Sequence, residues 1–187
     1  MPLTTLDPKT ALVVIDLQKG VVALPTAPHP AQPVIQRSVE LADAFRRRGL
    51  PVVLVPVARG APGRTEQAKR AAPPPDWADL IPQLGQQPQD RLVTKRSWGA
   101  FLHTDLDAQL KNLGVTQIVL CGIATSIGVE STARQAYELG YNVTLAVDAM
   151  GDLNADAHQN SLARIFPRLG ETGSTGDILD LLERTRA

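Results

Sequence analysis

The chain has 187 residues, and its hydrophobic content of 43% with 20% charged residues is the balance of a folded globular protein. That length fits one domain over residues 1–187 and is short for two. Its formal net charge of zero lacks the basic excess that binding to nucleic acid or to an anionic membrane requires, so we expect neither partner.

Apolar runs rich in β-branched residues predict six strands. Their expected ranges are residues 11–17, 51–58, 91–95, 115–121 and 141–147, followed by a short strand near Glu171. The regular part of the second strand should end near Val55, because Pro56 cannot donate a hydrogen bond to the sheet. Gly122 is expected to end the fourth strand.

Helical spacing of apolar residues predicts the segments between the strands. The expected helices are residues 33–48, 105–113 with Thr104 as N-cap, 126–139, 154–169 with fraying near Pro167, and 176–184. Residues 59–90 are rich in Pro, Gly, Ala and Gln and predict a long excursion with one short helix around residues 76–80. The alternation of strands and helices predicts a three-layer α/β/α fold around a mostly parallel, Rossmann-like sheet of six strands.

Polar residues follow the strands at the edge where such sheets bind ligands, beyond the carboxyl ends. Asp16 lies at the end of the first strand, Lys95 at the end of the third, and a glycine-containing segment follows Cys121. A salt bridge joining two strand ends is the structural alternative for Asp16 and Lys95. The single cysteine cannot form an internal disulfide, which suits a reducing cytoplasm.

Three segments carry a resemblance to a known family. They are VIDLQ over residues 14–18, VTKRSWGAF over residues 93–101, and CGIATSIGVESTAR over residues 121–134. In this order and spacing they resemble the signature of the isochorismatase-like hydrolase superfamily, whose cysteine hydrolases use an Asp, a Lys and a Cys.

The resemblance implies roles for individual positions. Asp16 corresponds to the acid/base, Lys95 to the lysine, and Ile123 with Ala124 to a cis peptide near the oxyanion-hole amides. The position of the nucleophilic cysteine falls on Gly128, which has no side chain and cannot attack a carbonyl.

Glycine at this position also occurs in true isochorismatases, which cleave a vinyl ether and need a general acid but no covalent nucleophile. Asp16 would be that acid. Those enzymes carry Tyr-Ala-His and Gln-Pro-Gly where this chain has residues 123–125 (IAT) and 59–61 (RGA), so isochorismate is not the expected substrate. Cys121 lies seven residues before Gly128, at the end of a buried strand, and is interpreted as a core residue.

We assign five further residues to the substrate pocket: Gln18, Arg59, Trp98, Phe101 and Thr125. Trp98 and Phe101 would form an apolar wall, with packing under a neighbouring helix as the alternative. Arg59 would bind a carboxylate, with a solvated loop arginine as the alternative. The resemblance implies no metal, because metal-binding members of the superfamily place an Asp and two His after the second strand, where residues 59–90 of this chain contain no histidine.

These observations predict a cofactor-free hydrolase acting on a small, carboxylated molecule through Asp16 and Lys95, without a cysteine nucleophile. A catalytically silent member of the family that only binds a small molecule is the alternative. An amidase working through Cys121 is a third hypothesis. From the resemblance we also expect a homo-oligomer, either a dimer or a tetramer, and from the single cysteine a cytoplasmic location.

Overall fold

The computed structural model describes residues 3–60, 63–66 and 72–184. Six strands form one sheet in the order β3-β2-β1-β4-β5-β6, and every neighbouring pair is parallel. The strands are β1 (Thr10–Ile15), β2 (Val52–Val55), β3 (Arg91–Leu92), β4 (Gln117–Ile123), β5 (Asn142–Gly151) and β6 (Glu171–Gly173). The sheet is therefore wholly parallel, where the sequence predicted a mostly parallel one.

Six α-helices accompany the strands: α1 (Lys19–Val22), α2 (Ala31–Arg47), α3 (Leu106–Asn112), α4 (Glu130–Glu138), α5 (Ala155–Asn160) and α6 (Thr175–Arg184). A π-helical turn, Thr125–Val129, leads into α4, and another, Ser161–Ile165, follows α5. In the described part of the chain, no helix combines the length and apolar character needed to cross a bilayer.

The two faces of the sheet are buried in separate apolar clusters, because side chains alternate along each strand. Leu12 and Val14 of β1 belong to the cluster that contains α2 and α6 residues such as Phe45 and Ile178. Val13, also in β1, belongs to the opposite cluster, which contains residues of α3 and α4. Helices thus cover both faces, which confirms the predicted three-layer fold.

The strand order reverses beside β1. The chain runs from β1 outward to β2 and β3, then returns to β4 on the other side of β1. Ile15 at the end of β1 pairs with Val55 of β2 and with Gly122 of β4. A crevice at such a switch point is where open parallel sheets bind ligands, so residue 16 enters it directly.

The fourth strand ends later than predicted. β4 continues through Gly122 to Ile123 and pairs with the end of β5 at Met150 and Gly151. Gly122 does not end the strand; its φ of 120° and its close approach to the Ile15 carbonyl leave no room for a Cβ. The prediction that Gly122 ends β4 was wrong because the glycine serves strand packing.

Several other predicted boundaries also differ. β2 ends at Val55 as predicted, but β3 stops at Leu92, and residues 76–80 form turns while a single 3-10 turn occupies Pro82–Leu84. The N-cap of α3 is Asp105. The predicted helix over residues 154–169 divides into α5, a π turn and a 3-10 turn, Phe166–Arg168, that contains Pro167, whose nitrogen has no hydrogen to donate.

Candidate active site

Asp16 follows β1 directly and enters the crevice at the switch point. Its backbone amide donates to the Val55 carbonyl at 2.9 Å, and its φ is 53°, a left-handed conformation that is uncommon for a residue with a side chain. Such conformations cost of order 1–3 kcal/mol and persist where the surrounding structure imposes them. Here the conformation turns the chain at the end of a strand, and the residue is 6% exposed.

Lys95 lies just after β3, and its side chain contacts Asp16. Its backbone extends the pairing of β2 beyond β3, since its amide donates to the Pro56 carbonyl and its carbonyl accepts from the Ala58 amide. Its ammonium Nζ lies 2.8 Å from Asp16 Oδ2 and donates to the Ser97 carbonyl at 3.2 Å. Lys95 is 2% exposed, so the contact is a buried ion pair or its neutral-acid equivalent.

Burial determines the protonation of the Asp16 carboxyl. Desolvation raises its pKa from 3.8 to about 6, and it outweighs the charge and hydrogen bond of Lys95, which lower that pKa. Oδ2 is bound by Lys95, whereas Oδ1 is buried without a hydrogen-bond partner. A carboxyl with one oxygen held by a lysine and the other unsatisfied is equipped to donate or accept a proton.

Gly128 lies next to this pair. A Cβ at residue 128 would lie 3.0 Å from Asp16 Oδ2 and 3.5 Å from Lys95 Nζ, so a side chain there would project at both groups. It would also lie 2.9 Å from Ile15 Cγ2, closer than real Cβ atoms approach other carbons. The structure therefore brings together the three positions that the sequence analysis assigned to catalysis, and it places no nucleophile at the third.

The segment before Gly128 begins with a cis peptide bond between Ile123 and Ala124, as the resemblance implied. The π-helical turn Thr125–Val129 then brings Gly128 over the end of β1. Asp152 fixes the start of this turn, because its carboxylate accepts the Ser126 amide at 2.6 Å. Asp152 is 1% exposed and was not identified from the sequence.

Two residues assigned to the substrate pocket have structural roles instead. The Gln18 amide nitrogen donates both its hydrogens, to the Val57 and Trp77 carbonyls, and its oxygen accepts the Val57 amide. Thr125 is fully buried, with its hydroxyl on the Gly151 carbonyl and 2.8 Å from His158 Nδ1. Neither side chain has a donor to offer a substrate, because all their hydrogens are already used.

Of the other three residues assigned to the pocket, one is packed against the core and two are exposed. Phe101 packs beside Tyr141, with ring centroids 5.7 Å apart, against the apolar cluster under α3 and α4, so the packing alternative holds for it. Trp98 is 61% exposed and can still face a ligand. Arg59 is exposed and has no ion-pair partner in the described ranges, which leaves its guanidinium available to a carboxylate.

Two alternatives to chemistry at Asp16 are a reactive Cys121 and a metal site, and the described part of the chain supports neither. Cys121 is fully buried, and its burial raises the pKa of the thiol to about 12, which keeps it protonated and unreactive at neutral pH. Among the described residues, no group of three or more His, Cys, Asp or Glu side chains could hold a metal ion.

Ser97 was also missed by the sequence analysis. It contacts Lys95 Nζ through its backbone carbonyl, which every residue type possesses, so its identity gave no signal. Only the position of the loop reveals the contact.

Comparison with known proteins identifies the family. The isochorismatase domain description matches residues 10–177. The isochorismatase family protein YecD of Escherichia coli O157:H7 is 44% identical over 181 residues, covering 92% of this chain and 96% of that protein. The ureidoacrylate amidohydrolase RutB of Stutzerimonas stutzeri is 30% identical over 178 residues, covering 79% of this chain and 72% of that protein.

A solved structure supports the same family assignment. An isochorismatase family protein from Burkholderia thailandensis is 46% identical and superposes with a TM-score of 0.91, covering 96% of this chain and 98% of that chain. The family match spans nearly all of the sheet described above. The chain belongs to the isochorismatase family of α/β hydrolases.

Proposed function

We propose that this protein hydrolyses a small, carboxylated vinyl ether by acid catalysis from Asp16, without a covalent intermediate at residue 128. The observation that carries the proposal is the buried Asp16 carboxyl beside Gly128. Its pKa is raised to about 6, and its Oδ1 has no partner. A general acid requires this combination of a retained proton and a free oxygen.

Protonation of the substrate starts the reaction. Asp16 donates its proton to the terminal carbon of the C=C bond, whose electrons form the new C–H bond and leave an oxocarbenium ion. Water adds to that cation, and the resulting hemiketal breaks its C–O bond while its hydroxyl proton passes to the departing oxygen, which gives an alcohol and a ketone. The proton that water loses restores the Asp16 acid, so one water is consumed and no oxidant or cofactor is needed.

Lys95 and Gly128 support this chemistry in different ways. Lys95 holds Asp16 Oδ2 at 2.8 Å, which fixes the orientation of Oδ1 and stabilises the carboxylate after proton transfer. Gly128 lacks the Cβ that would stand 3.0 Å from Asp16 and 2.9 Å from Ile15 Cγ2. It therefore brings no nucleophile to the acid, where a cysteine would stand in an amidase of the same family.

Two observations favour a carboxylated substrate. Arg59 follows β2 at the same edge of the sheet as Asp16, and it is exposed with no acidic partner in the described ranges. RutB, at 30% identity, is named for ureidoacrylate, which is a small carboxylate.

A substrate panel tests the proposal. Wild-type protein is incubated with carboxylated vinyl ethers and with the matching amides and esters, and products are followed by mass spectrometry. We expect product from vinyl ethers, lost by at least about a hundredfold in D16N, because general acids contribute that much to rate. The matched control is D180N, since Asp180 is a 68% exposed carboxylate on α6.

Each result of the panel has a distinct meaning. Turnover unchanged in D16N contradicts the proposal. Turnover lost after thiol alkylation or in C121A assigns the chemistry to Cys121 instead. A thermal shift without product across the whole panel identifies the protein as the catalytically silent binding member of the family.

A further inference from the structure

A buried threonine joins the two segments that carry the candidate site. Thr132 on α4 is fully buried, and its hydroxyl donates to the Gly128 carbonyl at 2.7 Å. The same oxygen accepts the backbone amide of Ala100 at 3.1 Å. A helical threonine commonly donates to the carbonyl four residues earlier, but accepting an amide from a distant loop is not part of that local pattern.

The loop that Thr132 holds is the one that contacts Lys95. Its Ser97 carbonyl accepts from Lys95 Nζ at 3.2 Å, and the Ser97 hydroxyl donates to the Gly99 carbonyl at 3.0 Å. The contacts of residues 97–101 with α4 therefore fix the position of the Ser97 carbonyl. Among the described residues, Lys95 Nζ is hydrogen-bonded only to Asp16 Oδ2 and to the Ser97 carbonyl.

Gln135, one helical turn after Thr132, makes a second connection. Its side-chain oxygen accepts the Phe101 amide at 3.0 Å. The Gln135 amide also lies so close to Gly99 that a Cβ on that glycine would collide with it. Two successive loop amides, at residues 100 and 101, are therefore bonded to side chains of one helix.

We propose that Thr132 is a positioning residue which, with Gln135, fixes residues 97–101 against α4, the helix that follows Gly128, and so keeps Lys95 in contact with Asp16. The consequence for catalysis rests on the proposed function, but the positioning itself does not. Thr132 touches no reacting atom in this account. It acts through the Ser97 carbonyl and through the Gly128 backbone.

The test measures the protonation of the Asp16 carboxyl directly and needs no substrate. Aspartate is labelled with ¹³C, the Asp16 resonance is identified by its absence in D16N, and its titration is compared in T132V, T132S and the wild type. Valine has the shape of threonine without the hydroxyl, so T132V leaves the Ala100 amide unsatisfied and releases the loop. Because the charge and hydrogen bond of Lys95 lower the pKa of Asp16, loss of that contact should raise the titration midpoint of Asp16 by about one pH unit.

Controls separate positioning from a purely structural role. T132S keeps the hydroxyl and should titrate like the wild type. T144V removes another fully buried threonine hydroxyl, which accepts only the Gln117 side chain at 3.0 Å. It should lower Tm as much as T132V does, with no change at Asp16.

An Asp16 midpoint that is the same in T132V and the wild type overturns the inference, and so does an equal shift in T144V. Where T132V does not fold, Q135M decides, because it removes only the acceptor of the Phe101 amide. A raised Asp16 midpoint in Q135M supports the inference, and an unchanged or lowered one overturns it.

Activity on a carboxylated vinyl ether gives the second readout. We expect T132V to lower kcat by about tenfold with KM nearly unchanged, since misplacing a catalytic group affects the chemical step. If D16N retains full turnover, the proposed function fails while the titration still tests the positioning. If D16N is inactive and T132V has wild-type kcat and an unshifted midpoint, the positioning alone fails.

Discussion

Substitution of Gly128 by alanine tests whether the space beside Asp16 must stay empty. The new methyl group would lie 2.9 Å from Ile15 Cγ2 and 3.0 Å from Asp16 Oδ2, so both neighbours must move by a few tenths of an ångström. Overpacking of this kind costs about 1–3 kcal/mol. Removing glycine from a helical segment returns about 1 kcal/mol. We therefore expect G128A to be destabilised by about 0–2 kcal/mol.

The matched control is G176A. Gly176 also lies in a helix, α6, but a Cβ there would meet only Ser174 Oγ at an ordinary 3.7 Å. This variant should gain about 0.4–1 kcal/mol, because alanine restricts the unfolded chain. Urea denaturation measures both free energies of unfolding.

The same substitution should lower turnover. A displaced Asp16 loses its 2.8 Å contact with Lys95, and we expect a loss of about tenfold or more in kcat on a vinyl ether substrate. The reasoning is refuted if G128A is as stabilising as G176A and fully active, because residue 128 would then not adjoin the acid.

Three further predictions concern stability. Because the folded pKa of Asp16 is about 6 and its ordinary value is 3.8, the wild type should lose stability relative to D16N as pH rises from 4 to 6, by about 2 kcal/mol, in pH-dependent urea denaturation; a flat difference contradicts the raised pKa. Arg46 and Asp90 form a nearly buried ion pair at 2.6 Å, and Arg46 also binds Asp43 and the Leu84 carbonyl, so D90A should lower the free energy of unfolding by about 1.5–3 kcal/mol; a loss below 1 kcal/mol would show that the pair is solvated. Asn154 caps α5 by accepting two backbone amides, so N154A should cost about 1 kcal/mol in the same assay, where an unchanged midpoint excludes the cap.

Much of the site could be predicted because its residues lie where strands end. Asp16 closes an apolar run, Lys95 follows a short one, and parallel strands bring their carboxyl ends to one edge. The family motif located Gly128, and the distances from its backbone to Asp16 and Lys95 agree with that placement. Local pattern and sheet geometry therefore predicted which positions lie together at the candidate site, and their catalytic roles stay predictions.

The hydrogen bonds of Gln18 and Thr125 within the protein could not be predicted from the sequence. Both are polar residues near strand ends, like Asp16, but their side chains satisfy backbone groups of Val57 and Gly151 that come from other segments. Whether a buried polar group faces a ligand or a carbonyl depends on tertiary neighbours.

The length of β5 was missed for a related reason. Asp148 interrupts the apolar pattern, so the strand was expected to end at Val147, yet it continues to Gly151. The Asp148 carboxylate is satisfied outside the sheet, by Thr175 at the start of α6 and by an ion pair with Arg37 of α2. A charged residue can lie in a strand when a helix supplies its partners.

The most direct test of Asp16 as a general acid is the pH dependence of kcat/KM for a carboxylated vinyl ether, between pH 4.5 and 8.5. The pKa of about 6 predicts a constant rate below that pH and a fall of about tenfold per pH unit above it, with this limb absent in D16N. A rate that rises with pH through 6 would contradict the account, because Asp16 would then act as a base.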